Sequence, residues 1–169
     1  DADGDMDVLS ASLNNNKIAW YENLGGGSFS SEQIVTISAN TLRSIYISDI
    51  DGDGDEDIVS GFGNNITWHE NLGNGSFGVE QFINTLWGGT SIHTADFDLD
   101  GDQDVLYSPL SGLSENIVWR ENLGGGIFGL EQEIHSFTNY IATTSFYTID
   151  VDGDGHVDVL YSVQNKISW

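Results

Sequence analysis

The sequence contains no cysteine, a single proline (Pro109) and only four basic residues. Without cysteine the chain has neither a disulfide framework nor thiolate metal sites. The four basic residues stand against 27 acidic ones, which gives a formal net charge of −23. That balance argues against a nucleic acid partner and against anionic membrane surfaces. No stretch approaches the ~18 apolar residues of a membrane span, so membrane insertion is not expected.

The 169 residues are enough for one domain with a hydrophobic core. Aromatic residues are plentiful, with five Trp, six Tyr and eight Phe. A disordered acidic tail would have few of them.

The acidic residues are concentrated in one type of loop, and the most complete copy runs from Asp49 to Asp57. Asp at positions 1, 3 and 5 places three carboxylates on one side of a tight loop. Gly at position 6 permits the sharp turn, position 7 offers its backbone carbonyl, and Asp at position 9 completes the ligand shell. An all-oxygen shell of this kind suits Ca²⁺ best among the common divalent cations.

The loop occurs four times, and the first copy lacks its position 1. All 18 Asp residues of the chain lie in these four copies. The residues of the four loops are Asp1, Asp3, Asp5 and Asp7; Asp49, Asp51, Asp53, Asp55 and Asp57; Asp96, Asp98, Asp100, Asp102 and Asp104; and Asp150, Asp152, Asp154, His156 and Asp158. The sequence therefore predicts three complete Ca²⁺ sites and a fourth site that lacks its first ligand.

These loops differ from the helix-flanked EF-hand, which needs a bidentate Glu at position 12. Position 12 is Ser60, Tyr107 or Tyr161 in the three complete copies. Each loop is followed by an apolar pair such as Ile58-Val59, which is typical of a short strand. The pattern predicts that each loop joins two antiparallel strands.

The chain repeats with a period near 50 residues, marked by Trp20, Trp68, Trp119 and Trp169. In the second repeat we expect strands at 43–48, 58–62, 66–70 and 77–83, and no helix anywhere in the chain. Four antiparallel strands per repeat are typical of a propeller blade. The sequence thus predicts an all-β fold, a β-propeller of four-stranded antiparallel blades, with repeats at approximately 1–42, 43–91, 92–142 and 143–169.

This accounts for about three and a half blades in a single domain, 1–169, that is partial or completed by oligomerisation. Either the chain is part of a longer protein or it forms a homo-oligomer, and two copies would give seven blades. A closed ring of four blades is a further alternative.

A second repeated pattern, Ile-x-Trp-x-Glu-Asn-Leu-Gly, begins at Ile18, Ile66 and Ile117. Its alternation places Ile, Trp and Glu on one face of a strand. The set could form a ring of aromatic sugar platforms, or it could pack between blades. Because every repeat keeps the set, we favour packing.

Together the D-x-D-x-D-G-x-x-D loop, the I-x-W-x-E-N-x-G run and Phe77-Gly78 resemble the FG-GAP/VCBS repeat family, which includes the integrin α-subunit propeller and many secreted bacterial proteins. The resemblance implies a β-propeller whose hairpin loops bind Ca²⁺ and whose usual work is extracellular recognition or adhesion. It also implies that the loop residues above are the metal ligands, with position 7 ligating through its carbonyl. The first repeat departs from the pattern, with Phe29-Ser30 in place of Phe-Gly.

We expect structural Ca²⁺ and no catalysis, because every repeat carries the same acidic set and no nucleophile or acid–base motif appears. A binding face is predicted at the end of the blades opposite the loops, where Trp87 and Tyr140 could stack on a sugar or seat a partner side chain. The expected ligand is a glycan or an extracellular protein. The alternatives are an assembly module of a larger secreted protein or filament and, less favoured, the scaffold of a polysaccharide-degrading enzyme.

Overall fold

The fold is described by a computed structural model over residues 1, 3–12, 14–37, 41–85, 89–109, 116–137, 143–163 and 166–169. Within these ranges the regular secondary structure consists of β-strands, joined by turns and loops. The ranges contain no helix, and therefore no helix that could cross a membrane. The strands are β1 (Val8–Ser12), β2 (Lys17–Tyr21), β3 (Gln33–Thr36), β4 (Leu42–Ser48), β5 (Asp57–Phe62), β6 (Asn65–His69), β7 (Gln81–Asn84), β8 (Gly89–Ala95), β9 (Asp104–Pro109), β10 (Asn116–Asn122), β11 (Phe128–Ser136), β12 (Thr143–Ile149), β13 (Asp158–Val163) and β14 (Lys166–Ser168).

Consecutive strands pair antiparallel into four sheets. Sheet 1 is β1-β2-β3, sheet 2 is β4-β5-β6-β7, sheet 3 is β8-β9-β10-β11, and sheet 4 is β12-β13-β14. The all-β prediction is confirmed, and so is the expected complement of three, four, four and three strands.

One predicted strand is wrong in its extent. The fourth strand of sheet 2 begins at Gln81, whereas the sequence predicts it from Phe77. After the glycine turn the chain makes only an isolated bridge, between Asn71 and Phe77, and Gly78 donates its N–H to the carbonyl of Glu70 at 2.7 Å. The continuous ladder starts only where Gln81 faces Trp68.

The hydrophobic core lies between successive sheets, because each strand alternates its side chains between two neighbours. One cluster joins sheets 1 and 2 through Ile18, Ile58 and Phe62. A larger cluster joins sheets 2 and 3 and includes Trp68 and Tyr107. The third cluster, between sheets 3 and 4, contains Leu106, Ile117 and Phe146. The first strands β4, β8 and β12 of sheets 2 to 4 lie side by side.

Two of the repeated tryptophans, Trp20 and Trp68, pack against glycine turns of the following sheet. A Cβ atom added at Gly75 would lie 2.2 Å from Cζ2 of Trp20, and one added at Gly126 would lie 2.4 Å from Cζ2 of Trp68. Both distances are shorter than any real carbon contact, so only glycine fits. Trp20 and Trp68 are buried in these contacts. The structure therefore favours packing over a sugar platform for these two residues.

Candidate metal centres

Each acidic loop follows the first strand of a sheet or precedes β1, and its carboxylates organise its own backbone. The first Asp of the loop accepts two N–H groups, one on each oxygen. Asp49 accepts from Gly52 at 2.8 Å and from Gly54 at 3.0 Å. Asp150 accepts in the same way from Gly153 and Gly155. In the third loop, Asp96 accepts from Asp100 and Gly101.

The second and third Asp residues continue this ladder. Asp51 accepts the N–H of Asp53 at 3.2 Å, and Asp53 accepts the N–H of Asp55 at 2.9 Å. The same bonds recur in the other loops; they join Asp5 to Asp3, Asp100 to Asp98, Asp102 to Asp100, Asp154 to Asp152 and His156 to Asp154. These bonds orient the carboxylates, and the accepting oxygens of Asp51 and Asp53 each retain a further lone pair.

Glycine at position 6 adopts a left-handed conformation in every loop. Its φ angle is +98° at Gly4, +96° at Gly54, +102° at Gly101 and +92° at Gly155. In the three complete loops position 4 is also left-handed, with Gly at 52 and 153 but Leu at 99, whose φ is +65°. A leucine in this conformation is strained, because its Cβ approaches the following carbonyl oxygen.

The last Asp of the loop hydrogen-bonds to the start of the glycine turn that follows β6 in sheet 2 and β10 in sheet 3. Asp57 is completely buried, and its two oxygens accept the N–H groups of Ile50 at 2.8 Å and Asn71 at 2.7 Å. Asp104 bonds Phe97 and Asn122 in the same way. The acidic loop and the glycine turn consequently lie at one end of the sheets.

The Asn that recurs in the second pattern makes the same local hydrogen bonds in each repeat. The side chain of Asn71 donates to the carbonyl of Glu56 at 3.2 Å and accepts the N–H of Gly73 at 3.1 Å. Asn23 and Asn122 make the same pair of bonds in their repeats. Asn122 also donates to the carbonyl of Ile50 at 2.7 Å, which links the loops of sheets 2 and 3.

Burial raises the pKa of Asp57 and of Asp104 to about 6, against the opposing effect of their backbone hydrogen bonds. Burial, and then the neighbouring Asp53 and Asp49 carboxylates, also raise the pKa of Asp51. In the absence of a cation, the ionised form of these three carboxyl groups is therefore less favourable in the folded protein than in water.

The described residues contain four groups of three acidic side chains, and in each group one carboxylate oxygen per residue lies within 4.8 Å of the others. The groups are Asp1, Asp3 and Glu22; Asp49, Asp51 and Asp53; Asp96, Asp98 and Asp104; and Asp150, Asp152 and Asp158. Ligands on opposite sides of a Ca²⁺ ion are about 5 Å apart, since each Ca–O bond is about 2.3–2.6 Å. Both the spacing and the all-oxygen chemistry fit Ca²⁺.

Glu22 is a candidate ligand that the sequence does not predict. It directly follows β2 and approaches Asp1 and Asp3. The repeated pattern could have indicated Glu22 as a ligand, because this Glu directly precedes Asn23, which is hydrogen-bonded to the acidic loop. In this first loop the amino group of Asp1 lies 3.3 Å from Asp7 Oδ2, the oxygen that accepts a backbone N–H in the other loops.

The fourth loop differs by its histidine at position 7. The imidazole Nδ1 of His156 lies 3.1 Å from Asp154 Oδ1, which also accepts the N–H of His156. The backbone N–H and then the imidazole of His156 hold the pKa of Asp154 below its usual value. Protonated histidine would therefore compete with a cation for this carboxylate.

The other predicted site residues, Trp87 and Tyr140, lie outside the described residues. A cleft of about 310 Å³ is found instead at the loop end, between sheets 1 and 2. Its lining includes Trp20 and Phe77 together with the acidic residues Asp7 and Asp55.

These repeated loops and turns match a known family model. The model of the FG-GAP-like repeat matches residues 1–60 and again 49–107. The chain belongs to the FG-GAP-like repeat family. No curated protein sequence matches this FG-GAP-like chain.

Among solved structures, the FG-GAP-like chain is similar to a lectin from Agrocybe aegerita, described as recognising non-reducing terminal N-acetylglucosamine. The two share 18% identity with a TM-score of 0.63. The match covers 92% of this chain but only 46% of the lectin, so this chain spans less than half the length of that protein.

Proposed function

We propose that this chain is a calcium-stabilised β-propeller module that recognises glycans outside the cell and has no catalytic role. The observation that carries the proposal is the fold similarity to a lectin over 92% of the chain, combined with an acidic loop in every repeat. Each of the four sheets then corresponds to one complete or partial blade. Their side-by-side first strands β4, β8 and β12 agree with a propeller, in which the first strand of each blade lies nearest the axis.

Calcium has a structural role in this proposal. Carboxylates 4 Å apart repel each other by about 1 kcal/mol per pair even in bulk water, and by more near protein. Four Ca²⁺ ions would reduce the formal net charge from −23 to −15. Loops that carry several carboxylates and bind weakly are filled at the millimolar Ca²⁺ of the extracellular space, which supports an extracellular location.

Glycan recognition needs aromatic faces beside hydrogen-bonding groups. The two candidates are the segments whose sequence contains Trp87 and Tyr140, and the cleft beside Phe77 and Asp55. The cleft volume of about 310 Å³ falls at the lower end of small-molecule sites, which span about 300–1,000 Å³.

The proposal is tested by a glycan array with the Ca²⁺-loaded protein beside a sample treated with EGTA. We expect Ca²⁺-dependent binding to a defined class of sugar, and glycans that end in N-acetylglucosamine are the first candidates because of the similar lectin. Loss of glycan binding in Trp87→Ala or Tyr140→Ala would place the site at those residues. Loss of binding in Phe77→Leu, which keeps an apolar side chain at this position, would place it in the cleft. Absence of binding by a folded, Ca²⁺-loaded sample would reject glycan recognition.

Calcium binding is tested separately by titration calorimetry. We expect three or four ions per chain and a lower melting temperature after chelation. An unchanged melting temperature would reject the structural role of the ion.

A further inference from the structure

We infer that Asn74 is a site of spontaneous deamidation, and that the isoaspartate formed there loosens the contact between sheets 1 and 2. The site lies in the glycine turn of sheet 2, where Ser76 donates its N–H to the carbonyl of Gly73 at 3.2 Å. The two central residues of this β-turn, Asn74 and Gly75, have positive φ angles of +52° and +72°. A turn of this kind favours Asn followed by Gly, and the chain contains that dipeptide once.

Asn74 is a departure from the repeat. The equivalent positions in the turns of sheets 1 and 3 are Gly26 and Gly125, each with a φ angle of +62°. Glycine at this position has no side chain that could react with the following nitrogen. Sheet 2 alone among these three sheets places a carboxamide directly before a glycine, whose nitrogen is not shielded by a side chain of its own.

Both reacting groups are available in the folded protein. Asn74 is exposed, and within the described part of the chain neither its side chain nor the N–H of Gly75 makes a hydrogen bond. The glycines of the acidic loops differ, although each also follows a residue with a reactive carbonyl. The N–H groups of Gly52 and Gly54 donate to the carboxylate of Asp49 at 2.8 and 3.0 Å, which holds their protons and fixes their orientation. Cyclisation is therefore expected at the turn and not at these two loop positions.

The reaction consumes only water and needs no oxidant or reductant. The backbone nitrogen of Gly75 loses its proton and attacks Cγ of Asn74, so that an N–Cγ bond forms. The Cγ–Nδ2 bond breaks, and the amide nitrogen takes up a proton and leaves as ammonia. Water then opens the cyclic imide. Cleavage of the new N–Cγ bond gives aspartate, whereas cleavage of the original backbone C–N bond gives isoaspartate, in which the chain runs through the former side chain.

Isoaspartate changes the backbone at a point where the protein has no spare room. It inserts one methylene group into the main chain directly before Gly75. A Cβ atom added at Gly75 would already lie 2.2 Å from Cζ2 of Trp20, which is 7% exposed beneath this turn. The lengthened turn must therefore shift relative to the indole, which opens the contact between sheets 1 and 2.

The test of the reaction is ageing of the 169-residue chain in excess Ca²⁺ at mildly alkaline pH, followed by peptide mapping with mass spectrometry. We expect replacement of NH₂ by OH at Asn74, with aspartate and isoaspartate as separable products. The conversion should be slower at mildly acidic pH, because fewer Gly75 nitrogens are then deprotonated. Asn64 and Asn65, which are followed by Asn and Ile, are the internal controls and should stay unchanged over the same period. No conversion at Asn74, or equal conversion at the controls, would overturn the assignment.

Two variants test the structural consequence. Asn74→Gly copies the turns of sheets 1 and 3 and removes the reacting carboxamide, so its melting temperature should not change on ageing. The melting temperature of the unmodified chain should fall as isoaspartate accumulates. Asn74→Asp, measured before ageing, supplies the charge without lengthening the backbone and should melt close to the unaged chain. A melting temperature unaffected by conversion, or an Asn74→Asp variant as unstable as the aged protein, would show that isoaspartate does not loosen the contact.

Discussion

Trp68 and Gly126 are in contact across two sheets, with the indole so close to the glycine backbone that a Cβ there would lie 2.4 Å from Cζ2. Gly126→Ala should therefore destabilise the protein through this clash. Gly125→Ala is the matched control, because both glycines have positive φ angles, +72° and +62°, but Gly125 has no atom within 4 Å of its missing Cβ.

Both substitutions share the backbone strain, so the difference between them isolates the contact. Overpacking of this kind typically costs about 1–3 kcal/mol. Urea denaturation in excess Ca²⁺ measures it. Equal free energies of unfolding for the two variants would show that the contact is unimportant.

Asp57→Asn should destabilise the protein even without Ca²⁺. Both carboxylate oxygens of Asp57 accept backbone N–H groups, whereas an asparagine presents an NH₂ group to one of those donors. A buried donor left without a partner costs about 1–3 kcal/mol. Asp55→Asn removes the same charge from a partly exposed position of the same loop and serves as the control. Chemical denaturation of the metal-free protein gives the comparison, and a loss no larger than that of the control would contradict the prediction.

Leu99→Gly should stabilise the protein, because Leu99 is held at a φ of +65° in the third loop while Gly52 and Gly153 occupy the equivalent positions. Relief of a left-handed leucine is worth about 1–2 kcal/mol, less the larger conformational entropy that glycine loses on folding. We expect a net gain of about 0.5–1 kcal/mol from these two terms.

Leu99→Ala is the control for this prediction. It removes the same exposed side chain but keeps the strain, so its free energy of unfolding should stay near that of the unmodified chain. Thermal and urea unfolding in excess Ca²⁺ provide the measurement. If alanine stabilises as much as glycine, the effect comes from the leucine side chain and not from the backbone.

His93 should make the stability depend on pH in weakly acidic solution. Its ring lies among three aromatic rings, 5.0 Å from Tyr46, 5.2 Å from Phe146 and 5.6 Å from Tyr147, and its buried Nδ1 has no hydrogen-bond partner among the described residues. Burial lowers the pKa of His93 below its usual range. His93 in the unfolded chain then binds a proton more readily than in the folded chain. The contribution of neutral His93 to the free energy of unfolding is therefore fully present above pH ~6.5 and is lost as the pH falls toward the folded-state pKa.

His93→Phe, which preserves the aromatic packing, should flatten this part of the stability profile. The measurement is the free energy of unfolding against pH in saturating Ca²⁺. His135→Phe accounts for the general effect of replacing a histidine that packs against aromatic rings. A profile unchanged by His93→Phe would exclude His93 as the source.

The loops were predictable because their interactions are local. The bonds that shape the second loop join residues two to seven positions apart, from Asp51 with Asp53 to Ile50 with Asp57. Strand order was also predictable, since short turns leave antiparallel pairing of neighbours as the simple solution. The start of β7 was not, because the bridge at Phe77 and the bond of Gly78 depend on how the turn folds back.

The sequence by itself determined the acidic loops, the repeat and the all-β sheets, because side chains close along the chain and period-two alternation encode them. Only the tertiary structure decided which surfaces meet. It brought Glu22 to Asp1 and Asp3, buried Asp57 against a turn fourteen residues away, and seated Trp20 and Trp68 on glycines of the next sheet. These contacts depend on the stacking of whole sheets, because the glycine turn that buries each of these tryptophans belongs to the following sheet.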